Sequence, residues 1–159
     1  MLDSIGASCS SSKLRIALYL SLLVAAILYA LFRGGTPERI HAGILVGASI
    51  SDTVVHMFTP AEYMVMDPGH AIIDAAAWVG VFAIALRANR FWPLWIVSLQ
   101  TIEVVGHIAK LLDVSIAPLA YAIMQAASSY PLLIALMIGT YYHQKRLKAN
   151  GIDPPWRIF

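Results

Sequence analysis

Three apolar stretches of the chain each carry a carboxylate and an imidazole four residues apart. The pairs are Asp52 with His56, His70 with Asp74, and Glu103 with His107. Residues at this spacing lie on the same face of a helix, about one turn apart. Imidazole is a good ligand for zinc, copper, iron and nickel ions, and a carboxylate can complete the ligand set or orient the ring. The pattern therefore predicts a polar site that binds a divalent transition metal or carries protons.

The order of the two residue types along the chain places the three pairs at a similar depth. If the second and fourth helices run outward and the third runs inward, the carboxylates lie roughly 9, 6 and 13 Å below the outer ends of their helices. Each histidine then lies one turn nearer the outer surface. Tyr121 and Gln125, on a fifth helix, enter at a similar depth. We expect these two residues to line the same pocket, in the outer leaflet.

The residue types leave several functions open. Carboxylates and imidazoles inside a membrane form metal sites or proton and ion paths, and they also serve as structural hydrogen bonds between helices. Haem held by two of the three histidines is less favoured, because the neighbouring carboxylates suit a porphyrin poorly. No motif with a nucleophile, a phosphate loop or metalloprotease spacing is present. We therefore predict transport or sensing of an ion and assign no catalytic residue; a membrane-embedded metalloenzyme and an accessory subunit remain alternatives.

The composition is that of an integral membrane protein. Of 159 residues, 59% are hydrophobic and 13% are charged, and the mean hydropathy is +0.72. Soluble domains have about 25% charged residues. The net charge of +2 is small and the basic residues are confined to the ends of apolar runs, so nothing resembles a nucleic-acid-binding surface. The single cysteine, Cys9, excludes an intramolecular disulfide. The expected partner is the lipid bilayer, with a homo-oligomer or a larger membrane complex as a further possibility.

Five segments are long and apolar enough to be considered membrane-spanning helices, which require about 20 apolar residues. They cover residues 16–32, 40–57, 70–86, 91–112 and 117–142. The predicted fold is an all-α, polytopic membrane helix bundle with about five transmembrane helices. We divide the chain into an N-terminal tail (1–14), a five-helix transmembrane domain (15–143) and a basic C-terminal tail (144–159).

Small residues form a stripe on the second helix at Gly43, Gly47 and Ser51. The third helix has Gly80 between two alanines at a similar spacing. Small residues at intervals of four allow two helix backbones to approach closely. We predict that these stripes pack the second helix against the third, and dimerisation is the alternative.

The distribution of basic residues predicts the orientation. Eight lysines and arginines flank one side of the five segments and three flank the other. Basic loops stay in the cytoplasm, so the N-terminus is expected outside and the C-terminus inside, in a bacterial inner membrane. We expect His41 and His143 at the cytoplasmic interface, with an aromatic belt formed there by Trp92, Trp95, Tyr141 and Tyr142.

Overall fold

The computed structural model describes residues 2–58 and 67–157, with side chains from residue 13 onward. The described residues form five α-helices and one isolated β-bridge. The helices are α1 (Leu2–Arg33), α2 (Thr36–Phe58), α3 (Pro68–Arg87), α4 (Trp92–Leu112) and α5 (Pro118–Asn150). Each contains a stretch long and apolar enough to cross a membrane. The prediction of an all-α, five-helix membrane bundle is confirmed.

Two helices extend beyond the apolar stretches that predicted them. Helix α1 begins at Leu2, so it includes most of the segment 1–14 that we expected as a separate tail. Helix α5 continues to Asn150 and includes part of the expected basic tail, 144–159. The added turns of α5 contain lysine, arginine and glutamine, which favour helix, so this helix need not end where its apolar stretch ends. Gly151, with φ of 75°, ends α5 in the left-handed conformation that glycine adopts readily.

The starts of the later helices follow from local sequence. The carboxylate of Asp67 accepts hydrogen bonds from the backbone N–H groups of Gly69 and His70, which caps α3. A proline lies in the first turn of α3, α4 and α5, where the missing N–H would have no helical partner. Because Asp67 fixes the first turn of α3, it also fixes the position of His70.

The helices pack as a ring in chain order. Helix α4 packs on α3 and α5, α3 packs on α2, and α1 packs on both α2 and α5. The apolar core contains Leu23, Ala26, Ala30, Ala42, Val81, Trp92, Ile96, Leu132, Leu133 and Leu136. Three of them, Leu23, Leu132 and Leu133, also line a cavity that contains ionisable side chains.

The predicted glycine packing between α2 and α3 is wrong for three of its four residues. Gly43, Gly47 and Ser51 are exposed, and a Cβ added to either glycine would meet nothing within 4 Å. Gly80 does lie at the interface, because a Cβ there would approach Ile44 Cδ1 to 2.8 Å. Helix α2 therefore turns the stripe that contains Ile44 toward α3 and its glycine stripe outward. Dimerisation through the outward stripe stays a prediction.

Candidate functional site

His70, in the first turn of α3, connects two carboxylates. Its Nδ1 donates a hydrogen bond to Asp52 Oδ1 at 2.6 Å. Its Nε2 lies 3.4 Å from Asp74 Oδ2. Because an ionised carboxylate only accepts hydrogen bonds, the contact with Asp52 places the proton of a neutral ring on Nδ1. Nε2 is then the unprotonated nitrogen, and it lies 3.4 Å from Asp74 Oδ2.

His107, on α4, approaches the same oxygen of Asp74 from the other side. Its Nε2 is 2.9 Å from Asp74 Oδ2, and its Nδ1 is 2.7 Å from the hydroxyl of Tyr121 on α5. A tyrosine hydroxyl can donate or accept, so it can serve either tautomer of the ring. Asp74 Oδ2 is thus the point at which the Nε2 atoms of two imidazoles converge.

These distances suit a metal ion. One ligand atom each from His70, Asp74 and His107 lie within 4.8 Å of one another. Two ligand bonds of about 2.0–2.1 Å that meet at the tetrahedral angle place their donor atoms about 3.4 Å apart. The separation between His70 and Asp74 has this value, and the 2.9 Å between His107 and Asp74 would have to open slightly. Two histidines and a carboxylate are a ligand set that zinc uses in enzymes.

A second possible set adjoins the first and shares His70. Asp52, His56 and His70 also offer ligand atoms within 4.8 Å of one another. His56 Nε2 lies 3.3 Å from Asp52 Oδ1, and His56 Nδ1 lies 3.9 Å from Asp67 Oδ2. Asp67 was missed as a site residue, although a D-P-G sequence before an apolar run is a recognisable signal for a helix cap.

Glu103 belongs to the same region without belonging to either set. It is 8% exposed and lines a cavity of about 260 Å³ together with Asp52, His70 and Asp74. All five helices contribute residues to the wall of this cavity. Among the described residues, neither three-ligand set includes Glu103.

The structure thus brings the six predicted residues to one region. Five of them form a continuous series of polar contacts through Asp52, His56, His70, Asp74 and His107. Gln125 also reaches the site, because its amide nitrogen lies 2.8 Å from His107 Nε2. What these residues bind stays a prediction.

A second buried polar cluster, which sequence reasoning missed, lies at the opposite end of the bundle. Arg90 Nη2 lies 2.8 Å from Asp153 Oδ2, and Arg90 Nε lies 3.4 Å from Glu38 Oε1. Trp92 donates its indole hydrogen to Glu38, and His143 Nδ1 donates to Asp153 at 2.6 Å. Trp92 and His143 are buried in the bundle, and their predicted position at the membrane interface stays a prediction.

The segment after α5 buries this second cluster. Residues 151–157 fold back on the turn between α3 and α4, where Asn89 donates to the carbonyl of Pro155 and Arg157 donates to that of Arg87. His41, also expected at the interface, is fully buried and packs against Trp92 at 5.6 Å between ring centroids. No local sequence signal shows this return of the chain.

The charge of Asp153 is stabilised by its neighbours. Burial raises the pKa of its carboxyl, but hydrogen bonds from Arg146 and His143 and the charge of Arg90 outweigh burial. The pKa of Asp153 is therefore held below its usual value. The cluster binds the end of the chain to the bundle, although Glu38 Oε2, Arg90 Nε and Arg146 Nη2 have no hydrogen-bond partner among the described residues. Because both three-ligand sets lie at the other end, we assign the candidate function there.

Comparison with known proteins adds no assignment. No protein-family model matches the chain, and neither the curated proteins nor the solved structures compared with it give a match. The function is therefore argued from the geometry alone.

Proposed function

We propose that this membrane protein binds one divalent transition-metal ion through His70, Asp74 and His107, and that it transports or senses that ion. The observation that carries the proposal is the convergence of two imidazole Nε2 atoms on Asp74 Oδ2. Asp52 and Tyr121 hold the opposite nitrogens of the two rings. Ligand histidines almost always have such a partner on the second nitrogen, which fixes the tautomer and the ring orientation.

The electrostatics of His70 support a cation at this point. With the proton on Nδ1, the unprotonated Nε2 lies 3.4 Å from a carboxylate oxygen. Two electron-rich atoms at that distance repel each other unless a positive charge lies between them. A metal ion supplies that charge and binds both atoms.

A second proton on His70 would satisfy the same geometry. The resulting imidazolium could pair with Asp52 on one side and Asp74 on the other, as in the histidine–carboxylate relays of proton carriers. Proton transfer is therefore the second candidate function. Haem between His70 and His107 is disfavoured, because Asp74 Oδ2 occupies the space between their Nε2 atoms.

Metal content separates the two candidates. The protein is purified in mild detergent, equilibrated with zinc at pH 7.5, freed of excess ion and analysed by elemental mass spectrometry. We expect about one ion per chain, and its loss at pH 5.5, because neutral imidazole binds metal and free imidazole is protonated below about pH 6.5. No bound ion at pH 7.5 would reject the metal site and favour proton transfer.

Two histidine variants identify which ligand set is used. His107→Ala removes a ligand of the proposed set and should abolish stoichiometric binding. His56→Ala removes a ligand of the adjoining set only, and should leave one ion bound. The reverse result would move the site to Asp52, His56 and His70.

A further inference from the structure

A groove between α1 and α5 leads from the lipid-facing surface of the bundle toward the pocket. Its volume is about 550 Å³. The lining residues are Arg15, Ile16, Tyr19, Leu20, Ala122, Ala126, Ser129 and Tyr130. Those on α5 all precede Pro131, which lacks the N–H that would otherwise continue the helical hydrogen bonds. Two alanines in this stretch leave the space between the helices unfilled.

The groove and the pocket are adjacent and share part of their walls. Tyr19, Leu20 and Ser129 line both the groove and the 260 Å³ cavity that contains Glu103. Leu20 is 50% exposed and Ile16 is 57% exposed. A molecule dissolved in the outer leaflet can therefore approach the polar residues from the side, between α1 and α5.

The inner end of this path has hydrogen-bond acceptors without donors. The carbonyl oxygens of Gln100 and Gln125 are buried and have no hydrogen-bond partner among the residues that the structure describes. Both residues line the cavity, together with the carboxylates of Glu103 and Asp74. A buried acceptor without a partner costs free energy, so a ligand that donates hydrogen bonds would gain by binding here. The neighbouring carboxylates would repel an anionic group.

We propose that the groove admits an uncharged amphiphile, a long-chain alcohol, whose hydroxyl group binds in the pocket and whose apolar chain lies between α1 and α5. The hydroxyl donates to the carbonyl oxygen of Gln100 or Gln125. The chain contacts Leu20, Ala122 and Ala126. This inference rests on the proposed function in one respect, because the hydroxyl group binds in the pocket that contains the proposed metal site. The groove itself is lined by none of the proposed metal ligands.

Photo-crosslinking of a hexadecanol that carries a diazirine tests the groove. The probe is added to proteoliposomes of the full chain, activated by light and located by peptide mass spectrometry. We expect labels in residues 15–20 and 122–130, reduced by unlabelled hexadecanol. Ala126→Phe fills the groove and should reduce this labelling roughly tenfold. Ala127→Phe is the matched control, since Ala127 is also exposed and does not line the groove.

Two further comparisons test the head group. Hexadecanoic acid with the same diazirine should label these residues roughly tenfold less, because the pocket carboxylates repel its charge. Gln100→Leu removes an acceptor, so it should weaken hexadecanol labelling about fivefold while leaving the ligand-free protein as stable as wild type or more so. Equal labelling by the acid and the alcohol would overturn the inference. An equal reduction of hexadecanol labelling in Ala126→Phe and Ala127→Phe would also overturn it.

Metal content measured on the same samples separates this inference from the proposed function. A chain that binds its metal ion but shows no competable groove labelling contradicts the amphiphile inference alone. A chain that shows the labelling but binds no metal ion contradicts the proposed metal site and supports the amphiphile inference.

Discussion

Replacement of Asp153 by asparagine tests whether the second buried cluster holds the end of the chain. The Asp153 side chain is 6% exposed and that of its partner Arg90 is 1% exposed. Loss of one partner of a buried ion pair costs about 3–5 kcal/mol. Arg90 keeps Glu38 at 3.4 Å and the carbonyls of Asn89 and Pro154, so we expect about 3 kcal/mol, at the lower end of that range.

The pH dependence of Asp153→Asn has a definite sign. The folded-state pKa of Asp153 is lowered, so its contribution to stability is fully present above the unfolded value of about 3.9. That contribution is lost as the pH falls through the folded pKa. The difference in unfolding free energy between wild type and Asp153→Asn should therefore be constant above about pH 5 and should shrink in stronger acid.

The assay is equilibrium unfolding in mixed detergent micelles, followed by circular dichroism. Asp113→Asn is the matched control, because Asp113 is an exposed aspartate in a loop, hydrogen-bonded to Ser115 N at 2.8 Å. Its replacement should leave the unfolding free energy close to that of wild type. Equal losses in the two variants, or an Asp153 effect that grows in acid, would show that the ion pairs around Arg90 do not stabilise the fold.

Three further results are expected. Gly139→Ala should destabilise the protein by about 1–3 kcal/mol, because the added Cβ would lie 2.4 Å from the Trp92 ring. Gly43→Ala should be neutral or stabilising in thermal unfolding, because its Cβ would meet nothing within 4 Å. Equal stabilities of the two variants would refute the packing of Trp92 against Gly139. Tyr121→Phe should weaken zinc binding about tenfold in competition with a chelator, because the hydroxyl that orients the His107 ring is lost, and the stoichiometry should stay the same. An unchanged affinity would show that Tyr121 does not support the site. A reporter enzyme that is active only in the cytoplasm should be active when fused to the C-terminus; activity of a periplasmic reporter there instead would reverse the predicted orientation.

The number and type of helices could be predicted because membrane-spanning length is a property of each segment alone. The six ionisable residues could also be found, since the i, i+4 spacing within one helix is visible in the chain. Their contacts could not, because the pairing of Asp52 with His70 and of Asp74 with His107 depends on how neighbouring helices are rotated. The prediction that the glycine stripe of α2 packs against α3 failed for the same reason. Residue spacing shows which residues share a helix face, but it does not show which helix that face contacts.

The second cluster could not be predicted for a different reason. Arg90 and Asp153 are separated by 63 positions and both lie near helix ends, where basic and acidic residues usually face water. Only the return of residues 151–157 over the α3–α4 turn buries them. Lys110, near the end of α4, is likewise a charged residue that the following segment of the chain buries. It is 1% exposed and donates hydrogen bonds to the carbonyls of Val114 and Ile116.

The central claim is that His70, Asp74 and His107 bind a metal ion, and X-ray absorption spectroscopy of the zinc-loaded protein tests it most directly. We expect two imidazole ligands at about 2.0–2.1 Å and at least one oxygen ligand at about 2.0–2.2 Å, and the same two imidazoles in zinc-loaded His56→Ala. A bound zinc ion without imidazole scattering, or the loss of one imidazole in His56→Ala, would contradict the claim.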